Sequence, residues 1–117
     1  MINHYELTIV LRPDLTAQEV DALASRTVDV AKQQGVTLVK QENWGLRKLA
    51  YPINKAQKGH YVFFGFSGNA GSLAEVERLL GLDEAVMRQL TIKVDAISPE
   101  PSAPIRQDDE REFDLAI

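Results

Sequence analysis

The sequence predicts an α+β domain in which a four-stranded antiparallel sheet carries two helices on one face. Segments with alternating apolar residues, typical of strands, are interrupted twice by segments with helical spacing, in the order β-α-β-β-α-β. Both helical segments begin at a capping sequence and end at a glycine. Right-handed crossovers in the two β-α-β halves then place both helices on the same side of one sheet. This is the ferredoxin-like split βαβ sandwich.

The alternating pattern predicts strands at residues 5–11, 36–43, 60–66 and 90–96. The first and third strands carry apolar residues on both faces, so we expect them in the centre of the sheet. Gly45 is expected to interrupt the second strand with a bulge or bend, with strand character resuming over residues 46–51. Pro52 cannot donate to a ladder, so this segment must lie at an edge or leave the sheet there, and a turn is expected through residues 52–59.

The helical spacing predicts helices over residues 16–34 and 72–80. Thr16 stands three residues before Glu19, which is the spacing of a capping box. Gly35 is placed to end the first helix in a left-handed conformation. Ser72 and Glu75 are expected to form the corresponding capping box of the second helix.

Length and cysteine content exclude several classes of protein. The chain has 117 residues, which favours one domain, and no cysteine, which excludes disulfides, thiol catalysis and thiolate metal sites. No apolar run approaches the roughly 18 residues that a membrane span needs. The N-terminus has no basic region followed by an apolar one, as a signal peptide would. We therefore expect no membrane partner.

Charge divides the chain into two parts. The net charge of −4 resides in residues 98–117, which hold six acids and two bases, whereas residues 1–97 hold 11 of each. The C-terminal part also contains prolines and shows no periodicity, so we expect a disordered or partner-ordered tail. The predicted folded domain covers residues 1–97 and the acidic, Pro-containing tail covers residues 98–117.

One stretch combines basic and aromatic side chains. Between Lys40 and Lys58 the bases Arg47, Lys48 and Lys55 are interleaved with aromatic and apolar residues, and Glu42 is the only acid. Cations beside rings can neutralise phosphate and stack on bases, which points to RNA. The alternative interpretation is a half-buried hairpin whose solvated lysines discourage aggregation of the sheet edge.

No arrangement of residues indicates catalysis or a bound cofactor. His4 and His60 lie near strand starts without a third metal ligand, and adjacent acids such as Asp83-Glu84 occur in turns. There is no phosphate loop, dinucleotide fingerprint or nucleophile elbow. We expect no enzyme activity, no metal, no cofactor and no small-molecule substrate.

The segment Trp-Gly-Leu-Arg-Lys-Leu-Ala-Tyr-Pro-Ile-Asn-Lys, residues 44–55, resembles the signature of the sixth protein of the bacterial small ribosomal subunit. The resemblance covers about residues 4–97. His4-Tyr5-Glu6 matches the family's opening, and residues 82–88 are similar to its segment before the last strand. Asn3 departs from the Arg that members commonly carry there, which implies one phosphate contact fewer at the N-terminus.

The resemblance implies a structural protein of the bacterial cytoplasmic ribosome. It would bind the central domain of small-subunit ribosomal RNA together with the eighteenth small-subunit protein. It implies phosphate and sugar contacts, with little reading of base edges, at His4, Tyr5, Arg47, Lys48, Lys55, Lys58, Arg88 and Lys93. Contacts with the partner protein are expected at Trp44, Tyr51, Ile53 and His60.

Two other functions on the same fold remain alternatives at this point, because the fold alone does not decide function. A small-ligand regulatory domain would need a glycine-rich loop at a dimer interface. An acylphosphatase-type hydrolase would need an Arg in a glycine-rich loop after the first strand, and Leu11-Arg12-Pro13-Asp14 does not supply one.

An RNA recognition motif would need exposed stacking rings, but Phe63-Phe64-Gly65-Phe66 departs from its signature and these rings are assigned to the core.

Overall fold

The computed structural model describes residues 2–53 and 55–98. Its elements are β1 (Asn3–Leu11), α1 (Ala17–Gln33), β2 (Thr37–Ile53), β3 (Ala56–Gly68), α2 (Ala70–Gly81) and β4 (Val86–Val94). All neighbouring strands are antiparallel, and the sheet order is β2-β3-β1-β4. The predicted ferredoxin-like fold is therefore confirmed, with β1 and β3 in the centre. The predicted tail lies, except for its first residue, outside the described residues.

The main core lies between the sheet and the two helices. Leu7 and Ile9 of β1 are fully buried beside Phe64 and Phe66 of β3, whose rings stack with centroids 5.3 Å apart. The helices add the core residues Val20, Leu23, Ala24, Val28, Ala31, Leu73, Val76 and Leu80. Burying each large apolar side chain contributes about 1.5 to 3 kcal/mol, so this layer fixes the orientation of both helices.

The ends of the two helices confirm two predictions and contradict a third. Thr16 and Glu19 form the predicted capping box, with the Glu19 amide donating to Thr16 Oγ1 at 3.1 Å, and Gly35 has a φ of 80°. The second helix begins earlier than predicted, because the side chain of Asn69 accepts from the amide of Ser72 at 2.7 Å. Ser72 therefore lies inside the first turn, and the predicted Ser72–Glu75 capping box was wrong.

β2 and β3 are both longer than the alternating apolar pattern predicted. Ile53 pairs with Ala56, which leaves only two residues between β2 and β3, so the expected turn through residues 52–59 was wrong. Gly45 has a φ of 83° and the register shifts beside it, which confirms the predicted irregularity. β2 is an edge strand, as Pro52 requires. The last strand, predicted over residues 90–96, starts at Val86 and ends at Val94.

Candidate nucleic-acid interface

The sheet face away from the helices, which we call the open face, carries a second apolar cluster. Its buried members are Val10, Leu49, Ile53 and Tyr61, with Trp44 and Met87 partly buried against them. The cluster lies where the β2–β3 hairpin extends past the rest of the sheet. Burying apolar area here fixes the hairpin without help from the helices. It thereby positions the basic residues that follow along both strands.

Trp44 is held on the open face by a stack and two hydrogen bonds. Its ring lies parallel to Phe63, with centroids 5.5 Å apart and planes at 10°. The indole N–H donates to Glu42 Oε1 at 2.9 Å, and the Trp44 carbonyl accepts from Arg47 Nε at 3.2 Å. Lys40 Nζ lies 5.6 Å from the Phe63 centroid, a cation–π distance. Trp44 therefore orients Arg47, and Phe63 belongs to the open face instead of the main core.

Most of the predicted phosphate-binding residues lie at one end of the sheet, which we call the hairpin end. Its members are Arg47, Lys48, Lys55, Lys58 and Arg88. Arg88 pairs with Val10, so it emerges on the open face, and Arg47 pairs with Gly59 beside it. Lys55 is at the tip of the hairpin with a φ of 68°. Antiparallel pairing places these cations at the same end of the sheet although they come from separate strands. Arg47 and Arg88 lie on the open face at opposite edges, whereas Lys48 and Lys58 point to the other face because side chains alternate along a strand.

Lys48 and Lys58 are direct cross-strand partners at the hairpin end. Both are exposed. Within residues 2–53 and 55–98, neither ammonium makes an ion pair with an acid. Like charges directly opposite each other on a sheet are destabilising, so this pair is a concentration of positive charge that the described residues leave without an ion pair.

The other predicted RNA contacts lie at the opposite end of the sheet. His4 pairs with Val94 and Tyr5 pairs with Lys93, five residues along β1 from Val10, which is about 17 Å for a strand. His4 Nδ1 is 2.7 Å from Ser67 Oγ, and the Tyr5 ring belongs to the main core. The structure thus does not bring His4, Tyr5 and Lys93 together with the hairpin end.

The residues predicted to contact a partner protein do not share one surface. Trp44 and Ile53 lie in the cluster on the open face, and Tyr51 is 53% exposed next to them. His60 pairs with Leu11, whose side chain is in the main core, and its Nε2 lies 3.1 Å from the Leu15 carbonyl oxygen. His60 is therefore half-buried on the helix side, away from the other three.

Sequence reasoning did not select Arg12, which the structure places at the hairpin end. It follows β1, its amide donates to the Ala85 carbonyl at 2.9 Å, and its side chain lines a surface cleft with Lys55 and Glu84. Its guanidinium pairs with Asp14 at 3.5 Å. Its position in the chain could have predicted this placement. In an antiparallel sheet of this order, the end of β1 lies at the same end as the start of β4 and the β2–β3 hairpin.

The described residues contain no group of three or more His, Asp or Glu side chains that could hold a metal ion. None of the described helices is both long and apolar enough to cross a membrane. On α2, the side-chain hydrogen bond from Arg78 lowers the pKa of Glu75. That pair is on the helix side and takes no part in the hairpin end.

Fold and site together define a small ferredoxin-like domain with a basic sheet end and an apolar open face. A family model described as ribosomal protein S6 matches residues 4–93. The small ribosomal subunit protein bS6 of Gluconacetobacter diazotrophicus is 43% identical over 109 residues, covering 92% of this chain and 68% of that protein. The bS6 protein of Hyphomonas neptunium is 40% identical over 107 residues, covering 92% and 96%.

A solved structure, the 30S ribosomal protein S6 of Thermotoga maritima, superposes with a TM-score of 0.75 at 23% identity, covering 99% of this chain and 98% of that one. This likeness shows the fold. The family match and the identities show more: the chain belongs to the ribosomal protein S6 family. It is a structural, non-enzymatic protein of the small ribosomal subunit. The predicted family, the absence of an enzymatic role and the place in the bacterial ribosome are confirmed by these relatives.

Proposed function

We propose that this protein binds the central domain of small-subunit ribosomal RNA through its hairpin end, together with the eighteenth small-subunit protein. The observation that supports the RNA contact best is the cross-strand pair of Lys48 and Lys58. A phosphate between two opposed ammonium groups would replace their repulsion with two attractions. RNA phosphate is a ligand of the right charge and is abundant in the small subunit.

The geometry of the hairpin end suits a backbone contact. Arg47 presents a planar donor fork oriented by the Trp44 carbonyl, whereas Lys48 and Lys58 act as point charges. The Trp44 ring is already stacked on Phe63, so one of its two faces is not available to a base. We therefore infer recognition of phosphate spacing and RNA shape, with little reading of base edges.

The open face supports the proposed protein partner. Besides its apolar cluster, this face carries exposed apolar side chains, Tyr51 at the hairpin and Ile92 on β4, which is 47% exposed. Apolar area beside a basic surface suits a protein partner that docks on the face while the cations reach RNA. Among the described strands, β2 and β4 are the two edges of the sheet, and a partner segment could add to either.

His4, Tyr5 and Lys93 remain predictions of a second contact. Because they lie about 17 Å from the hairpin end along β1, one phosphate group cannot serve both places. A contact at both ends requires an RNA surface that spans the sheet. Separate substitutions at the two ends would therefore have additive effects on affinity.

The test is a titration of the full chain against an RNA fragment of the central domain, with and without the eighteenth protein, at several salt concentrations. Lys48→Ala and Arg88→Ala should each weaken binding and reduce the slope of log K against log salt by about 1. The matched control is Lys32→Ala, an exposed lysine on the last turn of α1 at the opposite end of the domain. Equal slopes for all three variants, or no RNA binding with the partner present, would refute the proposal.

A further inference from the structure

The residues that follow β4 turn back over the open face. The side chain of Ile97 lies above Gly65 of β3, so close that a Cβ added at Gly65 would be 2.9 Å from Ile97 Cγ2. The carbonyl of Ser98 accepts from Lys40 Nζ at 3.2 Å. Since β4 and β2 are the two edges of the sheet, residues 95–98 cross it from one edge to the other. We call residues 95–98 the strap.

The strap delivers the chain to a fixed place on the open face. The side chain of Lys40, to which Ser98 is bound, is only 11% exposed and forms an ion pair with Glu42 at 3.8 Å. The same Lys40 lies over Phe63, on which Trp44 is stacked. Ser98, the last described residue, is therefore held on the open face beside the Lys40, Phe63 and Trp44 contacts, from which β2 leads to the hairpin end.

Charge and length match between these residues and the hairpin end. Residues 99–117 hold six acids and two bases, whereas the hairpin end holds cations from β2, β3 and β4. Arg47 is seven residues along β2 from Lys40, a distance of about 23 Å. The acids of residues 108–110 follow Ser98 by at least ten residues, which reach about 33 Å when extended. The acidic run can therefore reach the hairpin end in the same molecule.

We propose that residues 99–117 cover the open face of the free protein and place their acids at the hairpin end, where they compete in cis with phosphate. The apolar residues among them, Phe113, Leu115 and Ile117, supply side chains that suit the apolar cluster. RNA or the partner protein must displace this segment to bind. The competition with RNA rests on the proposed function, whereas the contact with the open face does not.

Trp44 is the only tryptophan of the chain, and its fluorescence tests the contact without RNA. Ile97→Ala loosens the strap, and Asp108→Asn with Asp109→Asn weakens the attraction to the cations. Each should raise the acrylamide quenching constant of Trp44 about twofold, as the covering segment leaves. The matched controls are Leu82→Ala at the exposed end of α2 and Asp21→Asn with Asp29→Asn on the exposed side of α1. Quenching that changes no more in the test variants than in their controls overturns the proposal.

Two further measurements, the concentration dependence of quenching and the RNA affinity, separate this inference from its alternatives. Quenching that depends on protein concentration would assign the contact to a second copy of the chain and overturn competition in cis. For RNA, the double Asp variant of the tail should bind the central-domain fragment about threefold more tightly than the double Asp variant of α1 at low salt, with no difference near 1 M salt. If the Trp44 effect is present but neither variant binds RNA, the contact stands and the proposed RNA function fails.

Discussion

Lys48 of β2 and Lys58 of β3 face each other as direct cross-strand partners, just before the hairpin extends beyond the sheet. An acid at either position would stabilise the isolated domain. The repulsion between the two lysines therefore lowers the free energy of unfolding of the domain. The same pair also concentrates positive charge at the hairpin end, where we propose that RNA binds.

Replacing Lys58 should therefore move stability and RNA affinity in opposite directions. Lys58→Glu creates an opposite-charge pair with Lys48, and we expect the free energy of unfolding to rise by about 0.5 to 1 kcal/mol. Lys58→Gln should give a smaller rise, because it removes only the repulsion. Both variants should weaken RNA binding. Urea unfolding and the RNA titration measure the two effects, and a loss of stability in Lys58→Glu would contradict this account. Gln57→Glu is the neighbouring control.

The tip of the hairpin contains strain that glycine would relieve. Lys55 adopts a φ of 68°, a conformation that is unfavourable for a side chain with a Cβ. Lys55→Gly should stabilise the protein by about 1 kcal/mol in urea unfolding. Gln57→Gly, in the adjacent extended strand, should destabilise it by about 0.5 to 1 kcal/mol. If both substitutions destabilise, the positive φ is not a source of strain.

Two glycines should respond to alanine with opposite signs. Gly45 has a φ of 83° and no atom within 4 Å of an added Cβ, so Gly45→Ala is unfavourable through the backbone alone, by about 1 to 2 kcal/mol. Gly71 lies in the first turn of α2, where an added Cβ meets only Asn69 Oδ1 at 3.5 Å. Gly71→Ala should stabilise by about 0.5 kcal/mol through helix propensity. Thermal unfolding of the two variants would show the signs directly.

The start of α2 distinguishes the observed cap from the predicted one. Asn69→Ala removes the acceptor for the Ser72 amide and should destabilise the protein by about 1 kcal/mol. Ser72→Ala keeps that amide and should change stability by only about a few tenths of a kcal/mol. Chemical unfolding of both variants decides between the caps. A larger effect at Ser72 would favour the sequence-based assignment.

The ion pair on α2 has a predictable pH dependence. Arg78 Nε donates to Glu75 Oε2 at 3.1 Å, and this hydrogen bond lowers the pKa of Glu75 from 4.5. Since folding favours the charged carboxylate, its contribution is present above pH 4.5 and is lost as the pH falls through the lowered value. Wild type should therefore exceed Glu75→Gln in melting temperature above pH 4.5, and the difference should shrink progressively as the pH falls below 4.5. A difference that persists in acid would exclude this cause.

The candidate site could be predicted only in part. Arg47, Lys48, Lys55 and Lys58 are close in sequence, so one hairpin was enough to group them. Arg88 and Arg12 come from distant segments and join the group only through pairing of β1 with β4. His60 shows the opposite case, because its position beside the signature said nothing of the Leu15 carbonyl that engages it.

By itself the sequence determined the order of elements, the central positions of β1 and β3, the capping box at Thr16 and the irregularity at Gly45. These features depend on local periodicity and on the backbone preferences of single residues, which do not depend on tertiary contacts. Tertiary structure decided the lengths of β2 and β3, the cap at Asn69 and the division of basic residues between two ends of the sheet. Strand length and register are set by the partner strand, and the meeting of distant charges is set by the sheet order, so neither is encoded in a local pattern.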